Sequence, residues 1–161
     1  MQYLVARFAD GRVLKGTALG LDFAVGTFRM DVAEGSEPTG PTVVQTAELK
    51  ALFGVEDLEG DSDYTEAKVF RGRRPEGAAI VRFRDGEMIA GVLAGYDPEA
   101  QGFYLVPADH KCNNSWCYIT ASAVEDIRLL APGMPSDAAA LQRVGRGVAR
   151  ALALTGLTHL R

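Results

Sequence analysis

The residues best suited to chemistry crowd into one stretch. His110, Cys112 and Cys117 lie within H-K-C-N-N-S-W-C, where two thiols and an imidazole could ligate a soft metal. Zinc sites take two to four residues between paired cysteines and need a fourth ligand, and no second Cys or His cluster exists to close the shell. The reading that remains places Cys117 inward as a small apolar residue and Cys112 on a loop. A second candidate is the acidic run Glu56, Asp57, Glu59, Asp61, Asp63, which suggests calcium. Counting from Asp57, Ser62 stands where the loop needs Gly and Lys68 where it needs Glu, so the run reads as a solvated connector. Asp10 and Asp85 could be paired carboxylates for acid-base work, yet each sits in an Asp-Gly turn that explains it without chemistry. No phosphate-binding loop, H-E-x-x-H, G-x-S-x-G or dinucleotide fingerprint occurs. The expectation is a non-catalytic chain with no cofactor and no metal.

The elements that would carry these residues follow from composition and pattern. The chain has 161 residues, 47% of them hydrophobic and 24% charged, with 18 Gly dispersed along it, which is a globular composition sized for one domain or two small ones. No apolar window approaches the length of a membrane span, and no signal-like leader precedes Asp10, so the expected compartment is the cytoplasm. The net charge of -4 conceals a gradient. Lys plus Arg against Asp plus Glu is 6 against 12 over residues 1–70, 7 against 8 over 71–131, and 4 against 1 over 132–161. An acidic front repels a phosphate backbone, which argues against nucleic acid as a partner.

The sequence repeats at an offset of 75. Arg7, Phe8, Asp10, Gly11 and Gly16 fall on Arg82, Phe83, Asp85, Gly86 and Gly91, and without gaps Gly20 falls on Gly95, Phe28 on Phe103, Val44 on Ile119 and Leu52 on Ile127. A period this long suits a duplicated small domain. Each copy reads as five short strands. Asp10-Gly11 and Asp85-Gly86 are hairpin signals, with Gly supplying the positive φ of a two-residue I′ turn. Phe103 to Val106 and Trp116 to Thr120 follow as strands around a long loop from Pro107 to Ser115. Such a unit closes most readily as a small bent barrel with Gly at its corners.

These motifs carry a resemblance. IVRFRDGEMIAGVLAGYDPEAQGFYLVPAD, from Ile80 to Asp109, is similar to the first Sm motif, and CYITASAVEDI, from Cys117 to Ile127, to the second. The first copy keeps the first motif in VARFADGRVLKGTALGLD and the second loosely in TVVQTAELKALF. The resemblance implies tandem Sm-like or SH3-like five-stranded barrels, and it extends to a group of functionally uncharacterised bacterial proteins with this paired layout. Sm members commonly bind single-stranded RNA through an Arg or Lys followed by Gly. Here those positions hold Thr120-Ala121 and Gln45-Thr46, and the family's third-strand Asn aligns near Gly102 and Phe103. Phe103, Tyr104, Trp116 and Tyr118 could stack on bases, but strands normally use such residues as core.

The tail differs in kind. Past Pro132 and Pro135, Ser136-Asp137 offers an N-cap, and a helix is expected to about Leu154. Leu141, Val144, Val148 and Leu152 would line one face and Arg143, Arg146 and Arg150 the other. Lacking large interfacial aromatics, it is a poor match for a membrane. The expected division is 1–54 and 77–130 as barrels, 55–76 as connector, and 131–161 as linker and amphipathic helix. The function expected is a protein-interaction adaptor or regulatory subunit, with a homo-oligomer conceivable through exposed strand edges. Its contact residues would be Asn113, Asn114 and Trp116 on the loop and the helix residues Leu141, Arg143, Val144, Arg146, Val148, Arg150 and Leu152. The alternative expectation is Sm-like RNA binding.

Overall fold

Asp-Gly turns start both halves of the chain, and their geometry is the same twice. The computed structural model describes residues 2–71 and 73–131. In the first turn Phe8 N–H donates to the Arg12 carbonyl at 2.9 Å, and in the second Phe83 N–H donates to Glu87 at 2.8 Å. The Asp10 carboxylate accepts from Arg12 N–H and that of Asp85 from Glu87 N–H, each at 3.0 Å. Gly11 and Gly86 take φ of 95° and 88°, while no other residue type has positive φ among the described residues. A I′ turn would need positive φ at Asp as well. The loop is therefore three residues ending on a left-handed Gly, not the expected two-residue turn, because the Asp side chain holds the turn by bonding forward along the chain.

These hairpins open a mainly β fold. The strands are β1 (Tyr3–Phe8), β2 (Val13–Ala18), β3 (Thr27–Val32), β4 (Gly40–Gln45) and β5 (Leu49–Val55), then β6 (Ala78–Phe83), β7 (Met88–Ala94), β8 (Gly102–Pro107), β9 (Asn114–Thr120) and β10 (Val124–Leu129). All are antiparallel and form one open sheet in the order β10-β6-β7-β8-β9-β5-β1-β2-β3-β4. The offset of 75 holds in all four ladders within each half. Leu4↔Gly16 matches Ala79↔Gly91, Gly16↔Val32 matches Gly91↔Pro107, and Phe28↔Val44 matches Phe103↔Ile119. Arg7↔Ala51 matches Arg82↔Asp126, with a register shift in both ladders. Short 3-10 turns at Thr46–Glu48 and Ala121–Ala123 connect the last two strands of each half.

Close approach explains the glycine in the second strand of each half. A Cβ on Gly16 would lie 2.0 Å from the Asp31 carbonyl oxygen, and one on Gly91 2.4 Å from that of Val106. The bend that brings three strands together leaves no room for a side chain there.

Two cores result, and they share a wall. Leu4, Ala6, Phe8, Phe28, Met30, Val44 and Leu52 fill the first, joined by Tyr118 from β9. The second packs Val81, Phe83, Phe103, Leu105, Cys117 and Ile119 against Ala51, Phe53 and Val55 of β5. A smaller cluster of Phe70, Ala78, Ile80, Ala90 and Ala108 anchors the end of the connector. The helix expected from Ser136, with all its contact residues from Leu141 to Leu152, lies outside the described residues.

Leu52 is fully buried. Leu52→Ala should cost about 2–5 kcal/mol by the deleted-methyl and cavity terms together. Val13→Ala, on a residue 43% exposed, should stay within about 0.5 kcal/mol. Urea unfolding of both variants checks the pair.

Candidate functional site

The seam where β5 meets β9 brings together Asn114, Trp116, Cys117 and Tyr118, which sequence reasoning singled out, with several side chains it did not. β5 pairs with β1 on one side and β9 on the other, in the register Ala51↔Ile119, Leu52↔Tyr118, Phe53↔Cys117, Gly54↔Trp116. All seven residues of β5 are buried, Lys50 among them.

Burying a lysine requires partners, and they come from the other half. The Lys50 ammonium bonds Asp85 at 2.5 Å and also Glu87, and it lies over the Phe83 ring at 4.5 Å. Glu87 in turn accepts from the Arg7 guanidinium at 3.1 Å. Lys50 holds the Asp85 carboxyl below its usual range. Desolvation pushes Glu87 up, but Lys50 and Arg7 outweigh it and hold it low as well. The second Asp-Gly turn thus does more than turn: it closes an ion network between halves. Asp10, its counterpart, pairs with Arg12 at 2.7 Å within its own hairpin.

Beside this network lies an open cavity of about 400 Å³. Val5, Phe53, Val55 and Ile89 supply apolar wall, Arg7, Lys50 and Glu87 charged wall, and Leu58 to Lys68 of the connector bound the rest. Three polar anchors tie that connector down. Lys15 donates to the Leu58 carbonyl at 2.7 Å. Asn113 exchanges side-chain bonds with the Asp57 main chain at 3.2 and 2.9 Å. The buried Asp109 carboxylate accepts from Tyr64 hydroxyl at 2.6 Å, Ala67 N–H at 2.8 Å and Lys111 N–H at 3.0 Å. The bond to Asp109 pushes the Tyr64 hydroxyl up to about 12, and Tyr64 and Ala67 hold Asp109 below its usual range. The acidic run serves local turns: Asp57 accepts from Gly60 N–H and Asp61 from Asp63 N–H. Among the described residues no group of three His, Cys, Asp or Glu side chains is placed to hold a metal.

The expected contact residues are divided by the structure. Asn113 and Asn114 line the cavity. Trp116 is half-buried on the opposite face of β9, where a Cβ on Gly54 would meet its indole at 2.3 Å. Tyr104 meets Trp116 edge-on at 5.8 Å and Phe23 at 5.9 Å, and Phe23 stacks on Tyr118 at 3.9 Å. Of the four rings weighed for base stacking, Phe103 and Tyr118 are buried, while Tyr104 is 40% exposed. Of the two Sm-like cation positions, Gln45 is exposed and Thr120 is buried; Thr46, at the position of the following Gly, is buried as well, and the Thr46 and Thr120 hydroxyls donate to the Gly26 and Thr46 carbonyls. Cys112 and Cys117 are both free and buried, and burial pushes both thiols up, opposite to what a nucleophilic cysteine requires.

The sheet has two open edges. Thr46 N–H donates inward to Gly26 and Leu130 N–H to Ala78, which by strand alternation turns the main-chain groups of Val43 and Gln45 on β4, and of Ile127 and Leu129 on β10, away from the sheet. Val43 is 57% exposed and Leu129 39%. No helix among the described residues is long and apolar enough to cross a membrane.

Sequence reasoning missed Lys50, Glu87 and Asp109 as anchors. The signal for Lys50 was a lone cation inside the apolar run LKALFGV; the other two resemble any turn acid.

The Asp109 clamp sets a pH response. Its carboxyl is held below the ordinary 3.8 when folded, so its stabilisation is present above that value and is lost as pH falls through the lower, folded one. Tyr64→Phe should move the Asp109 titration up toward 3.8 and speed amide exchange at Ala67; carbon-detected NMR titration and hydrogen exchange measure both.

Residues 2–131 match a protein-family model whose description is Family of unknown function (DUF6982). No curated protein and no solved structure matches the chain. With four-fifths of its length inside that match, the chain belongs to DUF6982, a family whose function is unknown.

Proposed function

We propose that the chain is a non-catalytic interaction module, an adaptor or regulatory subunit of the cytoplasm, whose halves are small Sm-like or SH3-like barrels that bind by strand pairing. The β5–β9 seam is the observation that supports this reading. It joins the last strand of one half to the fourth strand of the other, and each half leaves the complementary strand open, β4 at one end of the sheet and β10 at the other.

Moving the seam by 75 residues gives the pairing of two molecules. Leu52↔Tyr118 becomes Ile127↔Val43, and Gly54↔Trp116 becomes Leu129↔Pro41. Ile127 and Val43 both turn main-chain groups outward, and the exposed Val43 and Leu129 side chains would gain cover. Pro41 lacks the N–H that Trp116 carries in the seam, so this contact is weaker than the internal one. A head-to-tail contact of this kind closes into a ring or grows as a filament according to its rotation. The RNA-binding reading draws on the exposed Tyr104 beside Trp116, but residues 1–131 carry 13 basic against 20 acidic side chains, which favours a protein partner.

Sedimentation velocity of the full chain tests this. Its sedimentation coefficient should rise with concentration. Val43→Pro, which removes an outward donor and leaves the β3 ladder intact, should abolish that rise, whereas Val43→Thr should keep it. A chain that stays monomeric throughout, or a Val43→Pro variant that assembles as well as the parent, overturns the reading. Salt-dependent retention of single-stranded RNA by the monomer would replace it with the alternative.

A further inference from the structure

The cavity beside the seam plays no part in strand pairing, since neither Val43 nor Ile127 lines it. Besides the exposed Glu59, its charged groups fall into two sets. Arg7, Lys50, Glu87 and Lys15 are committed to one another or to the Leu58 carbonyl. Glu66 and Lys68, on the connector, are not. Both are half-buried and both line the cavity, yet among the described residues no hydrogen bond or ion pair reaches either side chain. They are near enough that the Lys68 charge favours the ionised form of Glu66, which desolvation opposes more strongly.

Two residues apart on the connector, this anion and this cation both face the cavity. Held beside each other without closing a contact, they leave a gap whose ends have opposite sign. Below that gap Phe53, Val55 and Ile89 offer apolar wall. A partly desolvated carboxylate without a partner gains most from an ammonium group, and the ammonium beside it from a carboxylate. The cavity, about 400 Å³, lies in the range of small-molecule sites, which pair apolar walls with a few placed polar groups.

We propose that this cavity binds a small zwitterion with an apolar side chain, an aliphatic or aromatic α-amino acid, whose ammonium meets Glu66 and whose carboxylate meets Lys68. The side chain enters between β1 and β5 on one side and β7 on the other. Because the connector carries both charged groups and is tied down through Asp57, Tyr64 and Ala67, occupancy also bridges the connector to the seam.

Isothermal titration of the full chain with L-leucine and L-phenylalanine tests the site, with N-acetyl-L-leucine lacking the ammonium and L-leucinamide lacking the carboxylate. The expected result is saturable binding of at least one of the two amino acids, weakened about tenfold or more for each neutralised analogue of leucine. Glu66→Gln should erase the preference over N-acetyl-L-leucine while keeping that over L-leucinamide, and Lys68→Met the reverse. The Val43→Pro chain should bind as the parent does, so this site and the strand-pairing reading stand or fall separately. No saturable heat with either amino acid, or equal binding of leucine and its two analogues to the unaltered chain, overturns the proposal without reliance on any variant.

Discussion

One strand holds two cores together. β5 is hydrogen-bonded on both edges and covered on both faces, and alternation along it sends Leu52 into the first core while Ala51, Phe53 and Val55 go to the second. β9 does the converse with Tyr118 and Cys117. Because side chains of a strand alternate strictly, neither strand can slip by one residue without exchanging the contents of both cores. The seam therefore fixes the halves against each other through packing as well as backbone bonds. Gly54 belongs to the same constraint, since its missing side chain is the space that Trp116 occupies.

The polar groups follow from where the seam runs. Lys50 sits in the buried strand and needs negative charge, which the Asp85–Glu87 turn supplies from the neighbouring half. Breaking such a pair by removing one partner costs more than the pair contributes, because a buried charge is left alone. The network ties the two halves to each other through Arg7, Lys50, Asp85 and Glu87. The connector, which must cross from β5 to β6, is tied over this region by Asn113 and Asp109, and the cavity is the space left between it and the sheet. Where the seam consumes one pair of edges, the same topology leaves the complementary pair, β4 and β10, open.

Much of the β architecture was legible locally. Asp-Gly pairs marked both hairpins, and the 75-residue offset located strands in both halves with the same register, because turn chemistry and period-two alternation are written in neighbouring residues. The turn type was not legible, since whether Asp takes positive φ depends on the bond its carboxylate makes to the residue two further on. Cys117 as a small apolar core residue was also readable, from its place in a strand. Asn113, expected as a contact residue, also fastens the connector, a role set by Asp57, which is 56 residues away.

By itself the amino-acid sequence determined strand content, the 75-residue repeat, the places of the two Asp-Gly turns and the lack of familiar catalytic motifs, all properties carried by sequence patterns. Tertiary structure alone decided that the two halves share one continuous sheet, that Lys50 meets Asp85 and Glu87, and that a cavity opens beneath the connector. Those outcomes rest on contacts between residues tens of positions apart. Their energies depend on which strand edges are still unpaired once each half has folded, and no local pattern encodes that.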